Sequence, residues 1–420
     1  MHIDADIILA PSKPTIISTP TSSNLLAASV EYGVCPGGDP ESARPCIFST
    51  GADKQMHMLE TVSGNEAITS FSGLSDSPVL SFVPILRGQY ILMTNMSGHL
   101  LLQRGVRVLQ SRRDHAKYAV KVVVHEEPDD AGLETVFWIA TAGWDATIFL
   151  YRLTIYHGIQ VPSPLLSDPI ARIKLTTNPE SLLFVRHVDT GELLLLVSRR
   201  DSSSIYYYEV DRSLRNSPER REGDIVPSSP PPECRLLGQQ NLAPHSNAWV
   251  AFSPSHMALS PLDPGLLAVA TSSEPHMKLI IVRLLFPSTT SSDESNPSAP
   301  DAVITQASQA MEALALQNRE DAAILIQANT FAPQTSYSTP QVAWRPDGSG
   351  VWVNGDDGVV RGIEIKTGNV VALLKDGHEP GCKVRTIWAG YVTVRHEGKD
   401  VREEWLISGG FDKRLVVWKV

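Results

Sequence analysis

A short polar motif recurs along this 420-residue chain and limits what the chain can fold into. A Ser or Thr is followed two residues later by Gly and four residues later by Asp at residues 49–53 (STGAD), 141–145 (TAGWD) and 408–412 (SGGFD). Each copy is flanked by apolar, strand-like segments, so each indicates the turn of a β-hairpin. A recurring hairpin unit is typical of repeat architectures, in which neighbouring units cover each other's apolar faces.

The last copy has the fullest surroundings, because a Gly-His pair at 377–378 precedes it and a strand with Trp418 follows it. This unit resembles one blade of a WD40-repeat β-propeller. The resemblance implies that His378, Ser408, Asp412 and Trp418 bond one another. Such a network is physically reasonable, since a buried carboxylate is costly unless hydrogen-bonded and a hydroxyl, an imidazole and an indole N–H are suitable partners.

The resemblance extends over the whole chain and predicts an all-β, seven-bladed, WD40-like propeller spanning residues 1–420 as a single domain. Further network residues implied by it are His115, Thr141 and Asp145 in the third blade and Ser49 and Asp53 in the first. Degenerate copies complete the count at residues 94–98, 198–202 and 354–358 and around Thr271. Tyr151 takes the position in blade three that Trp418 takes in blade seven.

Four segments fall outside the repeat pattern. Residues 1–18 offer two strands, 7–9 and 15–18, either of which can complete the last blade and close the ring. Residues 212–233 and 287–300 are rich in Ser, Pro and charge, so both are expected to be disordered loops. Residues 301–319 carry apolar side chains at helical spacing, and this helical insertion either packs under its own propeller or is offered to a partner.

The composition describes a soluble globular protein, since 42% hydrophobic residues supply ample core and 20% are charged. A formal charge of −10 argues against broad nucleic-acid binding, which needs clustered Lys and Arg. No signal layout or long apolar run predicts secretion or a membrane span. Four cysteines without close pairing favour a reducing compartment, so we expect a cytoplasmic or nuclear location.

No catalytic signature stands out in the sequence. Phosphate-binding loops, nucleophile elbows and dinucleotide fingerprints are missing. His378, Ser408 and Asp412 could be read as a catalytic triad, but the recurrence of the same pattern at residues 115–145 favours a structural network. We therefore expect no enzyme activity, no cofactor and no metal ligands. A metal-dependent propeller hydrolase with carboxylates in its tunnel remains the alternative.

Two basic features leave an anion-binding or lipid-binding alternative open. One is a cluster after the second blade, which is either a guarded edge strand or a site for an acidic peptide: Arg104, Arg107, Arg112, Arg113 and Lys117. The other is Arg199-Arg200, which matches only half of the Phe-Arg-Arg-Gly motif of phosphoinositide-binding propellers.

The resemblance implies a protein-interaction scaffold or adaptor subunit of a hetero-complex. Propellers of this family bind partners through the top face, where the turn residue beside the network Asp is exposed. Carried over residue by residue, this predicts contacts to a peptide or loop of another protein from Trp144, Phe411, Arg385, Asp357 and Ala52. Exposed aromatic and Arg side chains are the types that dominate binding energy.

Overall fold

In the computed structural model the chain forms a ring of seven four-stranded antiparallel sheets. The structure describes residues 15–18, 23–33, 44–60, 68–128, 134–157, 164, 166–210, 230–245, 252–287, 306–396 and 399–419. Each sheet is one blade, and the innermost strands of neighbouring blades are in contact all the way round, including the first with the last. The predicted all-β, seven-bladed propeller with one helical insertion is confirmed.

The strands follow one another along the chain, from the channel outwards in each blade. The first strand, β1 (Thr15–Ser18), belongs to the last blade. Blade one contains β2 (Leu25–Gly33), β3 (Arg44–Gly51), β4 (Met56–Glu60) and β5 (Ile68–Phe71). Blade two contains β6 (Val79–Ile85), β7 (Tyr90–Asn95), β8 (His99–Arg104) and β9 (Arg107–Arg113).

Blades three to five follow the same order. Blade three contains β10 (Ala119–Pro128), β11 (Glu134–Gly143), β12 (Thr147–Tyr156) and β13 (Ala171–Lys174). Blade four contains β14 (Pro179–Arg186), β15 (Leu193–Arg199), β16 (Ser204–Glu209) and β17 (Leu236–Asn241). Blade five contains β18 (Ser253–Leu259), β19 (Leu266–Ser272), β20 (His276–Arg283) and β21 (Ile324–Pro333), with helix α1 (Gln306–Ala323) inserted before β21.

The last two blades complete the ring. Blade six contains β22 (Val342–Trp344), β23 (Gly350–Val353), β24 (Val360–Glu364) and β25 (Val370–Leu374). Blade seven contains β26 (Val384–His396), β27 (Lys399–Gly410) and β28 (Arg414–Lys419), and β1 is its outermost strand.

The ring is closed by the pairing of two segments from opposite ends of the chain. β1 runs antiparallel to β28, with Thr15 opposite Val417 and Ser18 opposite Arg414. Of the two segments predicted for this role, residues 15–18 form the strand, and residues 7–9 lie outside the described part. The pairing gives the last blade its fourth strand and covers the edge of β28.

Both faces of every blade are buried, which explains the continuous apolar runs of the central strands. In β15, Leu193, Leu195 and Val197 face a core shared with blade three. The intervening Leu194 and Leu196 face a core shared with blade five. Since side chains alternate across a strand, a run buried on both sides has no polar member. The seven hydrophobic clusters correspond to the seven interfaces between blades.

The innermost strands are also joined by hydrogen bonds across the blade interfaces. At one register position, a side chain of one blade accepts a hydrogen bond from the main-chain N–H of the next blade. The pairs are Ala28 N to Thr386 Oγ1 (3.3 Å), Val122 N to Ser81 Oγ (3.2 Å), Met257 N to Ser181 Oγ (3.2 Å) and Val342 N to His256 Nδ1 (3.3 Å). The same position in blade three is Lys121, which has no acceptor atom.

The start of blade five and the two expected loops border parts of the chain that lie outside the described residues. The first strand of blade five, β18, begins at Ser253, and residues 246–251 lie outside the described part. Pro254, the second residue of β18, lies at a β-bulge near the start of the strand. Proline is tolerated there because its missing N–H removes no hydrogen bond from the middle of the sheet. The expected loops 212–233 and 287–300 lie outside the described residues except for 230–233 and 287.

The large apolar side chains of helix α1 are exposed. Met311 is 73% exposed, Leu314 is 56% exposed and Leu316 is 48% exposed. Its contacts to the propeller come from its last turns. Ala323 is buried in the core between blades four and five. Glu320 accepts a hydrogen bond from the N–H of Asn241 (2.7 Å) and Gln317 donates one to the Pro244 carbonyl (2.7 Å). Residues 301–305 of the predicted insertion lie outside the described part. No helix in the described ranges is long and apolar enough to cross a membrane.

A buried ion pair joins blades six and seven at the end of the ring opposite the motif turns. Arg345 donates from Nε to one oxygen of Glu404 (2.9 Å) and from Nη2 to the other (2.8 Å). Both side chains are less than 10% exposed. Removing Glu404 leaves the buried Arg345 charge with only a longer contact to Asp347 (3.6 Å). A buried charge that loses its main partner costs more than the pair itself contributes.

We predict that Glu404→Gln lowers the free energy of unfolding by about 3 kcal/mol, measured by chemical denaturation. Asp263→Asn is the matched control, because Asp263 pairs with Arg283 at the surface and its loss should cost under about 1 kcal/mol. The double change Arg345→Met, Glu404→Leu should recover much of the loss. Equal, small effects of Glu404→Gln and Asp263→Asn would contradict this assignment.

Candidate functional site

The motif turns and the beginnings of the inner strands share one end of the ring. Ala119, at the start of β10, lies opposite Gly143 of the turn in blade three. Val384, at the start of β26, lies opposite Gly410 in blade seven. We call this end the top face. The opposite end, the bottom face, carries the loops that join the first and second strands of each blade.

In blade seven the four residues implied by the family resemblance form one hydrogen-bonded chain. His378 contacts Asp412 through Nδ1 (3.1 Å) and Ser408 Oγ through Nε2 (2.8 Å). The indole N–H of Trp418 donates to the same Ser408 oxygen (2.9 Å). The Asp412 carboxylate also accepts a hydrogen bond from the main-chain N–H of Glu379 (2.9 Å), so the turn is tied to the loop that enters the blade.

The Gly of the motif is required by the closeness of these groups. A Cβ at Gly410 would lie 2.6 Å from Asp412 Oδ1 and 2.8 Å from His378 Nδ1. At Gly143 the same atom would lie 2.3 Å from Nδ1 of His115. No side chain fits in either place without moving the carboxylate or the imidazole, which explains the recurrence of Gly in the sequence.

Blade three repeats the arrangement with one change. His115 contacts Asp145 through Nδ1 (3.1 Å) and Thr141 through Nε2 (2.8 Å). The Tyr151 hydroxyl, placed by the sequence where blade seven has Trp418, donates to Asp114 (3.0 Å). Tyr151 therefore ties β12 to the loop that carries His115.

In blades one and six the Asp at the equivalent motif position is bonded to a different partner. In blade one, Asp53 lies 3.2 Å from Nε2 of His57, while Ser49 is buried in the strand beside it. In blade six, Asp357 accepts two hydrogen bonds from Arg361 (3.0 and 2.6 Å). Each partner stands four residues after its Asp, on the third strand of the blade. The sequence contains this spacing, but the family pattern, which has a His before the turn, does not point to it.

The structure places Asp357, which the sequence predicts as a partner-binding residue, at the network position of its turn. Its carboxylate is held there by two hydrogen bonds from Arg361. The position equivalent to Trp144 and Phe411 is Asp356, one residue earlier, which is bonded to Lys383 (3.1 Å). Contact of Asp357 with a partner stays a prediction.

His378, Cys382 and Asp412 are close enough to be considered as metal ligands, with ligand atoms within 4.8 Å of one another. However, both nitrogens of His378 already have partners, and the Cys382 sulfur lies 3.1 Å from the N–H of Asp412. Burial, with the Asp412 charge, raises the pKa of the Cys382 thiol to about 11. A neutral thiol is a poor ligand, so this arrangement suits a turn anchor better than a metal site.

The two aromatic residues predicted for partner contact are exposed on the top face. Trp144 is 43% exposed and stacks on Tyr118, with ring centroids 5.1 Å apart. Phe411 is 40% exposed, and its N–H donates to the Lys383 carbonyl (3.0 Å). Ala52 is exposed in the equivalent turn of blade one. Each stands directly before a network Asp, so the backbone that presents it is rigid.

Exposed aromatic side chains are concentrated at this end of the ring. Among the residues that the structure describes, seven aromatic side chains are exposed, and two of them, Tyr156 and Tyr391, lie away from the top face. The five on or beside the top face are Tyr118, Trp144, Phe331, Tyr337 and Phe411. The motif pattern did not point to Phe331 or Tyr337, because they lie at the end of β21 and in the loop after it.

Arg385, the third predicted contact residue, lies at the mouth of the channel. It is the extra residue of a β-bulge between Val384 and Thr386 in β26, and it is partly exposed. It makes no hydrogen bond or ion pair with the described residues. Its position in the innermost strand places it near the axis of the ring rather than beside Phe411 on the rim.

Three residues of the two other basic features, Arg112, Arg199 and Arg200, make internal contacts. In the cluster after blade two, Arg112 pairs with Asp114 (3.1 Å) and with Asp168 (2.8 Å), as expected for a guarded edge strand. Arg199 donates to the Tyr206 hydroxyl (2.8 Å) and Arg200 to Glu180 (2.8 Å). Arg199 and Arg200 are therefore engaged within the protein, whereas a phosphoinositide headgroup would need their guanidinium groups as donors.

Comparison with known proteins supports the same fold. A family described as a beta-propeller domain matches residues 245–419. The crystal structure of Saccharomyces cerevisiae Sqt1 is similar to this chain, with a TM-score of 0.53 and 11% sequence identity over 96% of this chain and 98% of that one. At this identity the likeness shows the fold alone. No curated protein matches the sequence. The chain is a seven-bladed β-propeller.

We predict a pH-dependent contribution of Asp412 to stability. Burial opposes ionisation of Asp412, but hydrogen bonds from His378 and from main-chain N–H groups outweigh it and lower the pKa from 3.8 to about 2. The stabilisation is therefore complete above about pH 4 and is lost as the pH falls towards 2. Asp412→Asn should cost about 2 kcal/mol at pH 7, and the difference from the unchanged protein should shrink in acid.

The control for this experiment is Asp400→Asn, which removes an exposed carboxylate of the same blade. Denaturation is measured at several pH values for all three proteins. A difference between Asp412→Asn and the unchanged protein that stays constant from neutral pH to pH 2 would contradict the assigned pKa.

Proposed function

We propose that this protein is a non-enzymatic, WD40-like interaction scaffold or adaptor, which binds a peptide or loop of a partner protein on its top face. The observation that carries the proposal is the concentration of exposed aromatic side chains there, led by Trp144 and Phe411. Aromatic side chains supply much of the binding energy of protein interfaces. Aromatic side chains are enriched in surfaces that bind partner proteins.

The rigidity of the top face supports the same role. Trp144 and Phe411 stand on turns held by the buried networks of Asp145 and Asp412. A side chain on a fixed backbone loses little conformational freedom on binding, so more of its contact energy is available as affinity. The polar networks therefore contribute to function by presenting the aromatic residues, besides stabilising each blade.

The WD40 relationship is part of the proposal. It is supported by the complete network in blade seven, by its near repeat in blade three and by the alternative solutions in blades one and six. The protein would act as a subunit of a hetero-complex in the cytoplasm or nucleus. Basic rather than acidic side chains near the top of the channel favour binding over metal-dependent hydrolysis.

We predict that the double change Trp144→Ala, Phe411→Ala removes the partner. The tagged protein is purified from its native cells, and bound proteins are quantified by mass spectrometry. If each aromatic contributes about 2 kcal/mol, recovery should fall by well over tenfold. Val188→Ala, Leu262→Ala is the matched control, because these exposed apolar residues lie on the bottom face.

The two variants separate the top face from general surface effects. Stoichiometric partners retained by the bottom-face variant and lost by the top-face variant support the proposal. Unchanged recovery with Trp144→Ala, Phe411→Ala would contradict it, provided that both variants keep the thermal stability of the unchanged protein.

A further inference from the structure

Two side chains from different blades meet inside the channel near the top face. Lys121 and His256 occupy the same register position on the inner strands β10 and β18, each directly after a β-bulge. Lys121 Nζ lies 3.4 Å from His256 Nε2, although blade four stands between their blades. The contact therefore spans the channel rather than a blade interface.

The hydrogen bond that His256 Nδ1 accepts determines whether His256 Nε2 is a donor or an acceptor towards Lys121. The N–H of Val342 donates to Nδ1 of His256 (3.3 Å), so Nδ1 is an acceptor. A neutral ring then carries its proton on Nε2, which faces Lys121. A lysine ammonium group has only donors. Two donors thus face each other, and 3.4 Å is long for a direct hydrogen bond between them.

A third donor lies close by. The charge of Arg385 acts on Lys121, and Arg385 has no acceptor among the described residues. Burial, with a smaller contribution from Arg385, lowers the pKa of Lys121 to about 8. Burial, with a smaller contribution from Lys121, holds the pKa of His256 well below its usual value. At neutral pH the group is two positive charges and one neutral donor.

The described carboxylates around the channel do not compensate these charges. Glu180 is the bulge residue of β14, at the level of Arg385, but its carboxylate is bonded to Arg200. Glu31 and Glu126, which lie close enough to influence each other, stand further towards the bottom face. At the level of Lys121, blades one, two and six carry uncharged residues. In blades one and two these residues are Leu26, Ala27, Leu80 and Ser81, and in blade six Gln341 directly precedes the inner strand.

We propose that Lys121, His256 and Arg385 form a binding site for a phosphate group at the upper end of the channel. Three kinds of donor converge there without an acceptor among the described residues, and burying uncompensated cations is costly in the empty protein. A phosphate monoester matches two positive charges with its dianion and offers several acceptor oxygens. A single carboxylate would leave one charge unbalanced.

This site goes beyond the proposed function, since it is defined by the channel and can be tested on the purified protein alone. Its ligand could be a free phosphorylated small molecule or a phosphorylated side chain of a bound segment. Both present the same group to the same donors, so the first probe is inorganic phosphate. A phosphoserine peptide and the same peptide with Ser then separate the two sources.

We predict saturable binding of inorganic phosphate, measured by calorimetry and by the side-chain nitrogen shifts of His256. Lys121→Met should weaken binding about 10- to 100-fold, the contribution of a charged hydrogen bond. Lys121→Arg should restore most of it. Lys117→Met, which removes an exposed lysine outside the channel, should have no effect. Affinity should also fall as the pH rises through about 8, because Lys121 loses its charge.

The outcomes separate clearly. Loss of binding with Lys121→Met and Arg385→Met, and retention with Lys117→Met, supports the site. Equal phosphate affinity of the unchanged protein and Lys121→Met, or no saturable binding, would overturn it. Tighter binding of acetate than of phosphate would overturn the choice of phosphate. Partner loss in Trp144→Ala, Phe411→Ala is independent of all these results, so the two proposals can fail separately.

Discussion

The burial of both faces of every blade is the constraint on which the rest of this structure depends. A four-stranded sheet covered on both sides needs a neighbour on both sides, so the series of blades is satisfied only by a closed ring. The antiparallel pairing of β1 with β28 meets this requirement, because it completes the last blade with a strand from the other end of the chain. The arrangement leaves the turns at the two ends of the ring as the surface on which function can be built.

The close packing of the blades also bears on the proposed phosphate site, because it brings the inner strands into hydrogen-bonding distance of one another. Thr386, Ser81, Ser181 and His256 satisfy main-chain N–H groups of the following blade. Lys121 of blade three and Ala27 of blade one stand in the same position and cannot accept a hydrogen bond, and of these two only Lys121 brings a charge to the channel. Local rules are most often broken at functional sites, where stability elsewhere compensates. The departure at Lys121 is why the channel carries uncompensated donors.

The sequence predicted the fold because its signals were local. The turn motif, the strand runs and the network of blade seven depend on residues close in the chain or at a fixed blade spacing. The networks of blades one and six were missed in part, since His57 and Arg361 replace the preceding His by a residue four positions after the Asp. The meeting of Lys121 with His256 could not be foreseen. It depends on bulges that set the register of two strands 135 residues apart.

If partners reach this protein through the top face, as we propose, site-specific photo-crosslinking in the native cells should capture them there. A benzophenone amino acid is placed at position 144, at position 411 or, on the bottom face, at position 188. We expect one set of proteins to be captured from positions 144 and 411 and not from position 188. Capture of the stoichiometric partner from position 188 alone would contradict it.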